Sequence, residues 1–321
     1  MMEGARMALA AAALLLANPL VAAPPADAAL AELRARDQQL FATGWRLAAA
    51  NAPFCESAAP ALGLSVLDAG GFADPAAVRR QLGLSADLAV GAMAPGSPAE
   101  AAGLAANDTL LAIGDVDLTV RFPSKRPAWQ RLIDVTAALD AAAAAGPVAL
   151  TIARSAQRRV VTLSPVSACP TRFEVLDSGG RAMAEGTRVI FGKRFPGFSY
   201  PEPEFAAAVA HEFAHNLLRH RLRLEEAGRS LGNVRVTERE ADRLMPWLLA
   251  NAGIAPGAAT AFMERWGPRH DGGLFRNRNH EGWDERAGAI RAEVVKVEAL
   301  MAKQGKADWS CHFEREALAQ R

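Results

Sequence analysis

The sequence predicts an α+β protein with two long helical stretches separated by a strand-rich module. Three observations carry that expectation. Apolar residues recur at helical spacing over 29–50 and again from about 205 onward. Between residues 83 and 167 the pattern changes to short apolar runs separated by turn-forming residues. At 321 residues the chain is long enough to bury two separate cores. Hydrophobic residues make up 50% of the sequence, but alanine swells that share, so the cores must come from Leu, Val, Ile and Phe. Lys and Arg number 36 against 35 Asp and Glu, a formal net charge of +1. That balance gives no electrostatic case for nucleic acid or an anionic membrane as partner.

Residues 1–28 have the layout of a secretory signal peptide. Arg6 precedes the apolar run Met7–Ala23, and Ala26-Asp27-Ala28 offers a small-residue cleavage site. Asn18 and Pro19 interrupt the run and shorten it below a comfortable membrane span. The expected mature protein is periplasmic or secreted, without a stable membrane span. Residues 29–55 then supply a first helix, with Leu30, Leu33, Leu40, Phe41, Trp45 and Leu47 on its apolar face and Pro53 stopping it. Within 83–167, the runs Leu88–Met93, Thr109–Ile113, Val148–Ala153 and Val160–Leu163 read as strands, and Trp129–Ala145 as a helix. Beyond Thr171, Phe173–Leu176 and Thr187–Phe191 read as strands joined through a Ser178-Gly179-Gly180 turn. One long helix is expected over Phe205–Leu222, entered through Pro201 and Pro203. A second is expected over Glu238–Ala252, kinked or restarted at Pro246. Phe262–Trp266 reads as helical, 267–283 as irregular, and Asp284–Met301 as a closing helix. Three cysteines, Cys55, Cys169 and Cys311, fit one disulfide and one free thiol in an oxidising compartment. All three pairings are open on sequence grounds; Cys55–Cys169, which brackets the strand-rich segment, is favoured slightly.

The chemistry is carried by His211-Glu212-Phe213-Ala214-His215. On a helix, residues four apart share a face, so both imidazoles can hold one metal ion while Glu212 reaches a water bound to it. A catalytic zinc needs three protein ligands and one open position. Glu238, which opens the cluster Glu238-Arg239-Glu240-Ala241-Asp242, would complete a His₂Glu set. Asp242, one turn further on, is placed to hydrogen-bond a ligand imidazole and fix its tautomer. The expectation is one Zn²⁺ per chain, with Glu212 as general base.

Two resemblances extend this reading. Ala94–Leu104 (APGSPAEAAGL) looks like the signature of a bacterial PDZ domain, and the stretch after it resembles that fold's next strand and hairpin, with Asn107 where glycine is usual. This resemblance implies a PDZ-like domain over 83–167 that takes an extended peptide beside its sheet edge. Residues 171–300 resemble the soluble, exported branch of the HtpX/CAAX-prenyl-protease family of zinc metallopeptidases. That match rests on the strand pair, HEFAHNLLRH, EREAD, and His280 followed by Glu285-Arg286, with Glu281 in place of the family's proline. It implies a zincin-like metallopeptidase domain over 171–321, zinc at His211, His215 and Glu238, and Glu212 as base; Ala29–Ala50 looks like the family's first helix, which implies that the PDZ-like domain is inserted. It further implies that the strand around Thr187–Phe191 pairs with the substrate backbone. His280 is the candidate second catalytic residue, a donor to the tetrahedral oxyanion. His220 is read as a local cap or a locally packed residue, Arg219, Arg221 and Arg223 as a solvated helix face, and Arg286 as half of a buried structural pair. The expected activity is hydrolysis of peptide bonds in protein or peptide substrates by an exported zinc endopeptidase. The alternative is a periplasmic chaperone or assembly factor with a structural zinc, in which the PDZ-like module does the binding.

Overall fold

The structure, a computed structural model, describes residues 26–125, 127–155, 157–270 and 282–320. The chain opens with α1 (Ala26–Ala50), then β1 (Ala59–Ala61), β2 (Leu64–Asp68), α2 (Pro75–Leu82), β3 (Leu88–Met93) and α3 (Pro98–Ala101). It continues through β4 (Thr109–Ile113), β5 (Val116–Asp117), α4 (Leu118–Arg121), α5 (Ala128–Ala145), β6 (Val148–Arg154), β7 (Gln157–Leu163) and β8 (Val166–Ala168). Next come β9 (Arg172–Leu176), β10 (Ala182–Ala184), β11 (Arg188–Gly192), α6 (Glu202–Leu217) and α7 (His220–Ala227). The last elements are α8 (Leu231–Asn251), α9 (Ala258–His270), α10 (Trp283–Gln304) and α11 (Trp309–His312). No described helix is long and apolar enough to cross a membrane.

These elements bury two main cores. One belongs to a mixed α and β body and joins Leu40, Trp45 and Leu47 of α1 to Phe173, Phe191, Phe205, Phe213, Leu244, Trp247 and Ile290. The other lies wholly within 62–163 and joins Val90, Leu110, Val135, Leu139, Leu150 and Ile152. α1 therefore packs with elements that follow it by more than a hundred residues, and the strand-rich module is an insertion between them. Gly44 shows how close that packing is: a Cβ there would stand 2.2 Å from Cγ of Phe173.

The module is a sheet of order β2-β3-β4-β6-β7 with β5 on β4, antiparallel throughout. It takes in β2, which lies upstream of residue 83. Local chemistry sets its turns. Asp74 caps α2 through Ala77 N (2.8 Å), and Ser97 caps α3 with Pro98 in its first turn. Asn107 takes the left-handed conformation (φ 70°), which asparagine tolerates best after glycine. β1 and β8 pair as a two-stranded neck, Ala59 opposite Ala168 and Ala61 opposite Val166. Beside that neck lies the disulfide Cys55–Cys169, with Cα atoms 5.7 Å apart; Cys311 is free and exposed. In the chain-entropy view a loop of this length constrains the unfolded chain by about 4–5 kcal/mol.

Four expectations are corrected. The Ser178-Gly179-Gly180 turn leads into β10, so β9 and β11 run parallel and β10 forms the hairpin with β11. In the resulting order β10-β11-β9 the strand around Thr187–Phe191 is central. Both its edges are hydrogen-bonded, so it has no free edge for a substrate backbone. The helix expected over Phe205–Leu222 stops at Leu217, because the Asn216 side chain turns to the strands, donating to Arg188 O (3.1 Å) and accepting from Gly186 N (2.7 Å). Arg219 then adopts φ 53° and α7 restarts at His220. Pro246 neither ends nor restarts α8, which begins earlier than expected, at Leu231, capped by Ser230.

Candidate metal centre

α6 and α8 pack face to face and bring HEFAH against EREAD. His211 Nε2 and His215 Nε2 lie 3.3 Å apart. Glu238 closes the triangle, its carboxylate oxygens 3.5 Å from His211 Nε2 and 3.6 Å from His215 Nε2. Among the described residues this is the group of three whose donor atoms converge, all within 4.8 Å. Bonds of about 2.0–2.1 Å at tetrahedral angles would put neighbouring donors about 3.3–3.5 Å apart. The spacing and the two-nitrogen, one-carboxylate chemistry fit a small divalent ion with a fourth position left open.

Each imidazole is turned inward by a partner behind it. His211 Nδ1 stands 3.1 Å from Asp242 Oδ1, within reach though poorly aligned for a full hydrogen bond. Arg286 clamps Asp242 with two bonds, Nε to Oδ2 (2.6 Å) and Nη2 to Oδ1 (2.9 Å). Asp242 therefore lies behind His211, and Arg286 is its structural partner. His215 is backed differently. Its Nδ1 lies 2.9 Å from Nδ1 of His220, whose Nε2 lies 2.9 Å from Glu240 Oε2. His220 is 1% exposed and Glu240 fully buried, so His220 is no mere helix cap. On an unbroken helix a residue five places on would point about 140° away from His215. The left-handed turn at Arg219 swings His220 back. Arg223 pairs with Glu240 rather than lying on a solvated face; Arg221, by contrast, does pair with Glu225 at the surface (3.0 Å).

The electrostatics follow from burial and these partners. Burial opposes charge on His211, yet Asp242 and Glu238 hold its pKa up to about 10. Burial drives His215 down to about 3, since the ring behind it brings no negative charge. Glu238 resists its own burial through His211, His215 and Arg286 and stays well below the usual carboxylate range. Burial raises Glu212 to about 7 against the attraction of His211. His280, the predicted second catalytic residue, lies outside the described residues, as does most of the predicted signal peptide.

Sequence reasoning passed over Glu240 and undervalued His220. Both sit inside the quoted motifs, and the signal available was a buried acid beside a second histidine, each needing a partner.

Comparison with known proteins speaks to the module. Residues 90–154 match the PDZ domain family. This segment is a PDZ domain. No curated protein matches the chain. PDZ domains bind peptides, and here β2 forms one end of the sheet while α5 packs beside it.

Proposed function

We propose that the protein is an exported zinc metalloendopeptidase whose PDZ domain binds peptides or regulates access to the site. The observation that carries this reading is the convergence of His211 Nε2, His215 Nε2 and the Glu238 carboxylate at 3.3–3.6 Å, with Glu212 beside them on α6. The resemblance of residues 171–300 to the HtpX/CAAX-prenyl-protease family agrees with it. A zinc ion held by these three residues would acidify its water and polarise the scissile carbonyl. Glu212, one residue from the first ligand, takes the proton as water attacks and returns it to the leaving amine. Asp242 and Arg286 keep His211 oriented throughout. The substrate backbone is assigned to β10 rather than to the central strand. β10 is an edge strand packed against α6, and Asn216, next to His215, binds the β10–β11 turn. Export agrees with the leader-like sequence of residues 1–28 and with the disulfide.

The test is Glu212→Gln in the full chain. It should retain one equivalent of zinc and lose cleavage of an unfolded protein substrate by at least about 10²–10⁴-fold, the usual worth of a general base. A variant that cleaves at the wild-type rate would refute the assignment.

A further inference from the structure

The hydrogen-bond chain behind His215 has one consistent direction. Glu240 accepts from Nε2–H of His220, which leaves Nδ1 of His220 as an acceptor. That nitrogen then accepts from Nδ1–H of His215 across 2.9 Å. The lone pair of His215 is thereby left on Nε2, the atom that faces His211 and Glu238. The tautomer that can bind a metal is set from two residues away.

The chain keeps this direction only while Glu240 accepts from His220, and a carboxylate buried without partners for its oxygens is costly. Glu240 is fully buried. Besides His220 and Arg223, its partners come from one extended segment following α11. Glu316 N donates to Oε1 (2.7 Å), and Arg315 Nη2 stands 3.5 Å from Oε2. That segment is fastened along its length. Arg315 also donates to Leu218 O (2.6 Å), immediately before the turn that swings His220 back. Arg223 binds Glu316 O (2.8 Å), and Arg239 binds the Glu316 carboxylate (2.5 Å). Asn233 makes a reciprocal pair with the Ala319 backbone (3.0 and 2.9 Å), and Arg243 lies over the Phe313 ring. An extended run of eight residues has no hydrophobic core of its own. Here it spends its polar contacts on the group that orients a metal ligand.

We propose that residues 313–320 are a strap of the metal centre, and that Glu316, Glu240 and His220 are positioning residues that fix the Nδ1–H tautomer of His215. The proposal rests on the reading of His211, His215 and Glu238 as metal ligands. Four full-length proteins test it: wild type, Glu240→Gln, Glu316→Pro, which deletes the N–H donor, and Glu316→Ala, which keeps it. Two quantities are read: Zn²⁺ affinity by competition with a chromophoric chelator, and the ring ¹⁵N shifts of His215 in metal-free protein. Glu240→Gln offers one acceptor where the carboxylate offers two. It should weaken zinc about 10–100-fold and mix the His215 tautomers. Glu316→Pro should shift both quantities in the same direction by a smaller factor, and Glu316→Ala should leave the tautomer intact. Wild-type affinity and a single unchanged tautomer in folded Glu240→Gln and Glu316→Pro would overturn the proposal. Should Glu316→Pro fail to fold, Arg315→Ala takes its place with the same two readings. A wild type that binds no zinc would sink the metal reading instead, while the metal-free ¹⁵N shifts would still decide the strap.

Discussion

The candidate metal centre and the PDZ domain both bury polar groups, and they do it in opposite ways. In the PDZ domain each buried charge ends in a closed pair. Arg131 grips Asp68 across the gap between α5 and the end of β2, with side chains 4% and 3% exposed. Asp108 accepts two bonds of 2.6 Å from Arg154. At the candidate metal centre three polar side chains instead converge on one point. Two ring nitrogens face each other at 3.3 Å and a carboxylate stands beside them. Buried polarity alone therefore does not mark a site. What marks one is a set of acceptors aimed at a common point, each held there by a partner behind it.

That contrast can be broken at several places, taken from the largest expected effect downward. Glu238→Ala should remove metal binding more severely than the roughly 10–100-fold typical of an outer partner, read by metal analysis of the purified protein. Retention of a full equivalent would place the ion elsewhere. Asp68→Ala leaves Arg131 buried without its main carboxylate and should cost about 3–5 kcal/mol of PDZ-domain stability. Hydrogen exchange should report the loss in β2 and β3 while zinc affinity stays as it was. A parallel fall in affinity would show the two regions to be coupled. The smallest effect concerns Asp37 on α1. Burial pushes its pKa up to about 6, with Arg34 opposing. A carboxyl whose folded pKa is raised binds its proton more tightly when folded. Its contribution is therefore favourable below about pH 4 and is lost as pH rises through about 6. Asp37→Asn should gain on the order of 1–3 kcal/mol at pH 7.5 and almost nothing at pH 4. Denaturant midpoints at the two pH values check this, and equal gains at both would refute it.

Much of this arrangement was legible beforehand, where a local signal existed. Leu88–Met93 and Thr109–Ile113 are strands with those bounds because turn residues flank each apolar run. His211, His215 and Glu238 meet as their spacing implied, since helical periodicity fixes which residues share a face. What escaped was set by tertiary contacts. The left-handed turn at Arg219 depends on Asn216 reaching β11, and nothing in HNLLRH announces it. β10 is three residues long and Ala-rich, too short for an alternating pattern. Residues 313–320 have no periodicity, because their partners are side chains on α7 and α8 rather than neighbours in sequence.

The neck of the PDZ domain has a consequence for how such a chain is assembled. The polypeptide leaves the body at Cys55 and re-enters at Cys169, and those two Cα atoms are only 5.7 Å apart. From the body's side, everything between is the tip of a hairpin whose stem is β1 and β8. The stem is not the module's sole attachment, because α1 packs on β3, Gln38 and Met93 exchange two hydrogen bonds, and Leu30 is buried among Leu67, Val78 and Ala89. An inserted piece must therefore bring its ends side by side at the stem and also present a matching surface to α1.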